Sequence, residues 1–369
     1  VIGKAPPTLM CEDGSDWGQR SVDLYEVVDK VGEGSYGEVF KAVRKYNDRQ
    51  TPEQDEIRTR RRAFPSRRAG DHILRQLRHP NIIKLLEIVT DKESALNLFN
   101  RDKGSFYLVF EFMDHDLVGL LDSGFVEFSP EVIASIMKQL LEGLAFCHSK
   151  NFLHRDIKCS NILINNKGEV KLADFGLARL YSAEDNTRPY TNRVITLWYR
   201  PPELLLGEEC YGPSVDVWSC GCILGELFNR KPLFPSNEEL IQLANISKLC
   251  GTPSPANWPN VTHLPRFTSF KPKKVHKRRL REEFAFLPPA ALDLFDSMLT
   301  LDPSQRVSAG QALRGEWLRN LDPKSLPRPN LPDYQDCHEL WSKKRKKKLK
   351  EQAKASAEAQ QLSELPPKQ

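Results

Sequence analysis

The chain has 369 residues, of which 40% are hydrophobic and 28% are charged, and its formal net charge is +5. These proportions are typical of a soluble globular protein, and the mild charge does not demand a nucleic-acid partner. The eight cysteines show no paired C-x-x-C spacing, which argues against a zinc site or a disulfide framework. No apolar run approaches the roughly 20 residues of a membrane span, and we expect no signal peptide.

The first third of the chain is predicted to be rich in strands. Residues 1–24 are polar and predict a flexible lead-in, and 24–42 predicts two strands joined by a glycine-rich turn. Residues 43–72 fit no element well. Residues 73–86 are predicted to be helical and then extended, and 106–112 predicts a buried strand by its apolar and aromatic content.

The rest of the chain is predicted to be rich in helices. Apolar residues at helical spacing predict a helix over 130–150, with further helices over 214–228 and 240–249. Residues 341–369, rich in lysine and then in Ala, Glu and Gln, are typical of a solvated helix or tail. A strand-rich part followed by a helix-rich part predicts an α+β fold of two lobes with a cleft between them.

A glycine-rich string, G-x-G-x-x-G-x-V, occupies residues 32–39. Glycines let the backbone approach phosphate groups, whose charge successive N–H groups can cradle. Alone, the string is as typical of a plain hairpin turn. Strand-like residues on both sides, rather than a following helix, disfavour a dinucleotide-binding fold.

A more specific pattern is H-R-D-I-K-C-S-N, which ends at Asn161 and is followed thirteen residues later by D-F-G, beginning at Asp174. Phosphoryl transfer needs a carboxylate to orient the attacking hydroxyl and oxygen ligands to hold Mg²⁺. Asp156 fits the first role, and Asn161 and Asp174 fit the second. Lys158 can neutralise charge on the moving group.

Three more residues agree with this chemistry. Glu203 ends a Pro-Pro-Glu string at a suitable distance after the D-F-G string, and Arg306 is its predicted ion partner. Asp216, at a predicted helix start, is expected to brace the loop around Asp156 through backbone N–H groups, although a plain helix cap explains it too.

From about residue 25 to 318 the chain resembles a cyclin-dependent kinase, most closely the transcriptional members. These are the C-type plant kinases and their animal relatives, which phosphorylate the C-terminal repeat of RNA polymerase II. The strings that carry the resemblance are F-E-F-M-D-H-D-L at 110–117, D-F-G-L-A-R at 174–179, T-N-R-V-I-T-L-W-Y-R-P-P-E at 191–203 and D-P-K-S-L-P at 322–327.

The resemblance implies the bilobal protein kinase fold. Residues 25–112 then form the small β-rich lobe and 113–318 the larger helical lobe, preceded by the lead-in 1–24 and followed by a basic extension, 319–369. It also implies ATP and Mg²⁺ as cofactors, a T-, K- or L-like cyclin and an activating kinase as partners, and the nucleus as the location. Neither a membrane nor direct nucleic-acid binding is expected.

The resemblance also implies a nucleotide site. Phe110 would be the gatekeeper, Glu111 and Met113 would bond adenine through their backbone, Asp116 would reach the ribose, and Leu163 would lie under the base. Core packing is the alternative role for Phe110, Met113 and Leu163. The full predicted set is Val31, Gly32, Glu33, Gly34, Gly37, Val39, Glu111, Met113, Asp116 and Leu163.

The resemblance further assigns Thr191 as the activating phosphosite. Arg155 and Arg179 would receive its phosphate, since guanidinium pairs with phosphate bidentately. Thr196 would hydrogen-bond near Asp156. The Val-Ile pair at 194–195 and Arg200 resemble the pocket that prefers proline after the phosphorylated residue.

Two expected residues are missing. Kinases of this type need a third-strand lysine paired with a glutamate on the helix that also contacts cyclin. Here no lysine lies between Lys45 and Lys84, and Asp71 is the only acid between Ile57 and Leu86.

Three hypotheses account for the gap. The chain is a pseudokinase that keeps the scaffold, or Arg58 substitutes for the lysine, or 43–72 carries a reading-frame or exon error. The second is disfavoured because guanidinium and ammonium groups are not interchangeable. We favour the third, since both flanks return to the family pattern and every other catalytic residue is intact. Whether Val1 is the true start stays open.

Two basic runs, 271–279 and 343–348, are equally explained as solvated faces. The second also resembles a nuclear localisation signal.

Overall fold

The structure is a computed structural model. It describes residues 20–34, 37–45, 56–62, 76–90, 106–182, 189–270, 272, 274–326 and 329–363.

A six-stranded sheet forms the first lobe. Its strands, in the order in which they lie side by side, are β1 (Arg20–Ser21), β5 (Leu85–Thr90), β6 (Phe106–Glu111), β4 (Glu56–Arg62), β3 (Gly37–Arg44) and β2 (Tyr25–Gly34). All pairs are antiparallel except β1 with β5. The two strands predicted over 24–42 and the strand predicted over 106–112 are confirmed.

Residues 43–72, which fit no element well by their sequence, contain the strand β4. This strand pairs along one edge with β3 and along the other with β6. Its sequence, E-I-R-T-R-R-R, has no strand-like alternation, so the pairing of two neighbours decides its conformation rather than local propensity. The other residues of the segment, apart from 43–45, lie outside the described part of the chain.

Helices dominate the second lobe and the C-terminal extension that follows it. In chain order they are α1 (Leu117–Ser123), α2 (Pro130–Ser149), α3 (Pro202–Leu205), α4 (Ser214–Asn229), α5 (Glu239–Cys250), α6 (Leu280–Glu283), α7 (Pro289–Met298), α8 (Ala309–Arg314) and α9 (Glu339–Ser363). The helices predicted over 130–150, 214–228 and 240–249 are thus confirmed to within one residue at each end.

Local chemistry explains where α2 begins and what it packs against. Ser129 caps its start by accepting the N–H of Val132, and Pro130 follows at the first helical position, where no N–H is needed. Its apolar stripe is buried. By contrast α4 is buried on nearly all sides, from Val215 to Leu227, which is the pattern of a helix at the centre of a lobe.

Two small sheets carry the loops that bear the predicted catalytic residues. One contains β7 (His115–Asp116), β9 (Ile162–Ile164) and β10 (Val170–Leu172), and the other contains β8 (Phe152–Leu153) and β11 (Arg179–Leu180). The catalytic loop therefore runs from β8 to β9, and the D-F-G string lies between β10 and β11.

The C-terminal extension is only partly a solvated tail. Ser342, in the first turn of α9, is buried, and Arg345 donates from Nη1 to the Ser123 carbonyl at 2.8 Å. Nζ of Lys346 lies 2.7 Å from a carboxylate oxygen of Asp122. Part of the second basic run therefore contacts α1.

Within the described ranges, no helix is both long enough and apolar enough to cross a membrane. The seven cysteines of those ranges are free thiols, and six of them are buried.

Candidate active site

A buried carboxylate on α4 holds the catalytic loop. The side chain of Asp216 accepts the backbone N–H groups of His154 at 2.9 Å and Arg155 at 2.8 Å, and Nε2 of His148 lies 3.0 Å from its Oδ2. Burial raises the pKa of Asp216, but the hydrogen bond and charge of His148, with the other donors, outweigh burial and lower the pKa overall. The predicted bracing role of Asp216 is confirmed.

Three side chains converge on Asp156. Thr196 donates from Oγ1 to Oδ1 of Asp156 at 3.0 Å, Nζ of Lys158 lies 3.2 Å from Oδ2, and Nδ2 of Asn161 donates to Oδ2 at 3.2 Å. Asn161 also donates to the Asp156 carbonyl at 2.8 Å, which fixes its side chain. The four predicted catalytic residues thus form one cluster.

The predicted metal ligands, Asn161 and Asp174, lie on neighbouring segments. The carbonyl of Asn161 accepts the N–H of Ala173 at 2.9 Å, which places Asp174 one residue from that contact. Asp174 has a left-handed φ of 63°, and Phe175 turns into the core, edge-on to the His154 ring at 4.7 Å. Because Nδ2 of Asn161 is bonded to Asp156, Oδ1 is the atom of this amide that would bind a cation, and the metal roles of Asn161 and Asp174 stay predictions. An amide oxygen and a carboxylate suit a hard divalent ion.

No group of three or more His, Cys, Asp or Glu side chains in the described ranges could hold a metal by itself. Mg²⁺ usually keeps several waters and binds substrate phosphates, so a site with two protein oxygen ligands suits this ion.

The turn at 194–195 has unusual backbone geometry. Ile195 has a φ of 65°, and Arg200 donates from Nε to the carbonyls of Val194 at 3.0 Å and Ile195 at 3.2 Å. Its Nη2 adds a further bond to Ile195 at 3.1 Å. Since these carbonyls are already bonded, they offer a docked peptide no ready acceptor for an N–H. A proline in a docked peptide would leave no N–H unbonded at this turn, and the preference for proline stays a prediction.

One hydroxyl links the predicted phosphosite to Arg155. Tyr211 donates its hydroxyl proton to the Thr191 carbonyl at 2.8 Å, and Nη1 of Arg155 donates to the same hydroxyl at 3.1 Å. Thr191 itself is exposed, and Arg179 lies in β11, which pairs with β8 beside the catalytic loop. The phosphate-receiving roles of the two arginines stay predictions.

The predicted nucleotide residues span both lobes. Those of the glycine-rich string lie on β2 and β3, where a Cβ at Gly32 would stand 3.3 Å from Cβ of Val39. Met113 and Leu163 are buried in the main core and Phe110 packs against it, so the core-packing role of these three is confirmed. Their contacts with a base, like those of Glu111, stay predictions.

The C-terminal extension approaches the predicted nucleotide site, which sequence reasoning missed. Asp116, expected to reach a ribose, accepts the N–H of Gly119 and the N–H of Glu339, each at 2.8 Å. Its own N–H donates to the Cys337 carbonyl at 3.0 Å, and Nδ1 of His338 lies 3.4 Å from Oδ2. The ribose contact of Asp116 stays a prediction.

The same extension reaches the first lobe. Nζ of Lys41, on β3, lies 2.8 Å from a carboxylate oxygen of Asp336 and 4.4 Å from the centre of the Phe112 ring. The extension contains Cys337, a residue type that prefers the interior, and apolar residues such as Leu331 and Trp341, so its composition hinted at burial but not at the partner.

Comparisons with known proteins agree with this geometry. The family model described as "Protein kinase domain" matches residues 25–318. Cyclin-dependent kinase 12 of Drosophila melanogaster is 62% identical over 339 residues, which cover 91% of this chain and 29% of that protein. Cyclin-dependent kinase C-1 of Oryza sativa subsp. japonica is 45% identical over 366 residues, covering 95% and 69%. The CTD kinase subunit alpha of Schizosaccharomyces pombe is 44% identical over 328 residues, covering 88% and 53%.

The chain therefore belongs to the protein kinase family and has its bilobal α+β fold. Within that family it is a cyclin-dependent kinase, of the serine/threonine class, and the predicted resemblance to the transcriptional members is confirmed. The fold implies ATP and a divalent metal ion. The chain spans under a third of the length of the fly relative and about half of the fission-yeast one.

Proposed function

We propose that this chain transfers the γ-phosphate of ATP, with Mg²⁺, to serine or threonine followed by proline in the C-terminal repeat of RNA polymerase II. It acts in the nucleus, bound to a T-, K- or L-like cyclin and phosphorylated on Thr191 by an activating kinase. The observation that carries the proposal is the cluster of Thr196, Lys158 and Asn161 around Asp156. The name of the fission-yeast relative, a CTD kinase subunit, supports the substrate.

Each residue of the cluster has a task in this reaction. Asp156 orients the substrate hydroxyl and accepts its proton, and Lys158 stabilises charge on the phosphoryl group. Asn161 and Asp174 would hold the metal ion. ATP supplies the phosphoryl group, and the cation neutralises phosphate charge.

The turn at 194–195 supports proline as the residue after the phosphorylated one. Arg200 occupies the carbonyls of Val194 and Ile195, so a residue with an N–H at this place leaves that donor without a partner. An unsatisfied donor costs about 1–3 kcal/mol, or roughly fivefold to 150-fold in kcat/KM.

The test is a transfer assay with a cyclin, labelled ATP and protein expressed from the resequenced transcript, because the favoured hypothesis places an error in 43–72. We expect label on a Ser-Pro repeat peptide, at least about fivefold less label on the matched Ser-Ala peptide, and no label with Asp156→Asn. Transfer that persists in Asp156→Asn, or that is equal for both peptides, contradicts the proposal.

A second function is favoured by the missing lysine between Lys45 and Lys84: a catalytically silent module that binds cyclin or polymerase. It predicts that cyclin is captured while no phosphate is transferred. Peptide mass spectrometry of native protein decides whether 43–72 is genuine, and detection of the peptide 63–67 would exclude a reading-frame error.

A further inference from the structure

The guanidinium group of Arg200 has hydrogen-bond partners in two different parts of the second lobe. Nε and Nη2 donate to the carbonyls of Val194 and Ile195, and Nη1 donates to Oε1 of Glu239 at 2.7 Å. Glu239 is the first residue of α5, so a helix outside the turn supplies the second partner. The side chain of Arg200 is only 14% exposed, and water therefore has little access to replace either partner.

The carboxylate of Glu239 is itself held in place. Nη1 of Arg266 donates to its Oε2 at 2.9 Å, so each carboxylate oxygen accepts a bond from a charged donor. A negative charge in the first turn of a helix is also favoured by the helix dipole. The segment before α5 is joined to the turn, because Trp198 donates from Nε1 to the Ser236 carbonyl at 2.9 Å. Glu239 is therefore a fixed acceptor beside the turn rather than a mobile surface side chain.

The charges around Arg200 make this acceptor important. Burial lowers the pKa of Arg200, and the charges of Arg266 and Arg193 lower it further, whereas the charge and hydrogen bond of Glu239 raise it. The two peptide carbonyls offer dipoles but no net negative charge. Glu239 thus provides the opposite charge that stabilises a largely buried guanidinium near two other cations.

We propose that Glu239 is a positioning residue for the selection of proline, because its carboxylate holds Arg200 on the two carbonyls of the turn at 194–195. This rests on the proposed function, in which the occupied carbonyls disfavour a peptide with an N–H after the phosphorylated serine. A charge-assisted hydrogen bond is roughly twice as strong as a neutral one, so loss of the carboxylate charge weakens the hold on Arg200. A carbonyl that Arg200 releases then accepts the N–H of a residue other than proline. Selection of proline weakens because the wrong peptide binds more tightly.

The test measures peptide binding, so it does not require phosphoryl transfer. A fluorescein-labelled Ser-Pro peptide and the matched Ser-Ala peptide are titrated with full-length protein expressed from the resequenced transcript, and fluorescence anisotropy gives the two Kd values. The parent chain should bind the Ser-Pro peptide at least about fivefold more tightly. Glu239→Gln, which keeps the size and removes the charge, should reduce this ratio at least about threefold, through a lower Kd for Ser-Ala. Glu238→Gln, the same substitution at the exposed preceding residue, should keep the parent ratio.

A double variant tests whether Glu239 acts through Arg200. Arg200→Lys, which lacks the planar fork of donors, should also reduce the ratio, and adding Glu239→Gln to it should change the ratio by less than about 1.5-fold. Independent effects of the two substitutions would overturn the inference.

Three further results for Glu239→Gln would overturn it as well. One is an unchanged ratio, and another is an equal loss of affinity for both peptides, which marks a merely structural role. The third is a variant that does not fold. A parent chain that binds both peptides equally contradicts the selection of proline itself. Failure of the transfer assay with the binding ratios as expected counts against the proposed function and leaves the role of Glu239 standing.

Discussion

The ion pair of Glu203 and Arg306 is buried in the second lobe. Nη1 and Nη2 of Arg306 donate to the two carboxylate oxygens at 2.7 and 3.0 Å, and both side chains are fully buried. Removing one partner leaves the other charge buried and unpaired, which costs about 3–5 kcal/mol. We therefore expect Glu203→Gln to lower the free energy of unfolding in urea by at least about 3 kcal/mol.

A surface pair is the matched control for this prediction. Arg279 and Glu282 lie 3.5 Å apart with side chains 57% and 72% exposed, and Arg279→Ala should change stability by less than about 0.5 kcal/mol. Replacing both buried partners, as Glu203→Leu with Arg306→Met, should recover part of the loss. If Glu203→Gln and Arg279→Ala give equal losses, the buried pair does not act as argued.

Glu226 makes stability depend on pH. Burial raises the pKa of Glu226. Hydrogen bonds from the Tyr199 hydroxyl at 2.7 Å and from the Cys159 thiol lower the pKa and offset only part of this rise. The native state therefore binds this proton more tightly than the unfolded state does. As the pH rises from about 4.5 through the native pKa, the contribution of Glu226 to the free energy of unfolding falls.

We expect Glu226→Gln to remove this decline. Melting temperatures measured from pH 4.5 to pH 8 should fall less steeply for the variant than for the parent chain. The exposed substitution Glu282→Gln should leave the parent profile unchanged. Parallel profiles for Glu226→Gln and the parent would show that another group is responsible.

At the scale of elements, one glycine allows the C-terminal extension to dock on α1. A Cβ at Gly119 would overlap the Cys337 carbonyl and lie 2.6 Å from the backbone nitrogen of His338. These are backbone atoms, so they cannot move away by a change of rotamer as the end of a side chain can. Gly119→Ala should therefore displace the extension, and limited proteolysis should cut before α9 at least about tenfold faster.

Gly310, inside α8, provides the control for that prediction. The nearest atom to an added Cβ there is the end of a flexible side chain, Arg314, at 3.7 Å. Gly310→Ala should leave proteolysis unchanged and stabilise the helix by about 0.5–1 kcal/mol. Unchanged proteolysis of Gly119→Ala would mean that the extension is not held at this approach.

The long helices were predictable because their burial pattern repeats along the sequence, as the apolar stripe of α2 shows. The catalytic cluster was predictable because its residue types and spacing are specific to phosphoryl transfer. The docked extension was not, since Cys337 meets His115 across 222 residues and no local pattern encodes that pairing. The strand β4 was missed for the same reason. Its conformation is set by pairing with two neighbouring strands, and its own sequence has no strand pattern.

At the scale of the whole molecule, the two lobes differ in how many of the residues expected to act on ATP they contain. The second lobe carries Asp156, Asn161 and Asp174, the residues that we propose for phosphoryl transfer. The first lobe has the sheet and the glycine-rich strands, but β4, the third strand after the two-residue β1, contains no lysine. The lysine normally positions the phosphates under the glycine-rich loop, so binding of adenine is expected to survive better than alignment of the phosphates.

A chain with the printed sequence should therefore bind ATP weakly. With 1 mM ATP and Mg²⁺, a Kd near or above about 1 mM adds no more than about 0.4 kcal/mol to the free energy of unfolding, close to the limit of a thermal shift. Asp174→Asn, which removes a predicted metal ligand, should change that small shift little, because the phosphates are already poorly held. A Kd below about 10 µM would add roughly 2.7 kcal/mol and a shift of several degrees. If Asp174→Asn abolished that shift, another group in the first lobe would have to position the phosphates in place of the lysine.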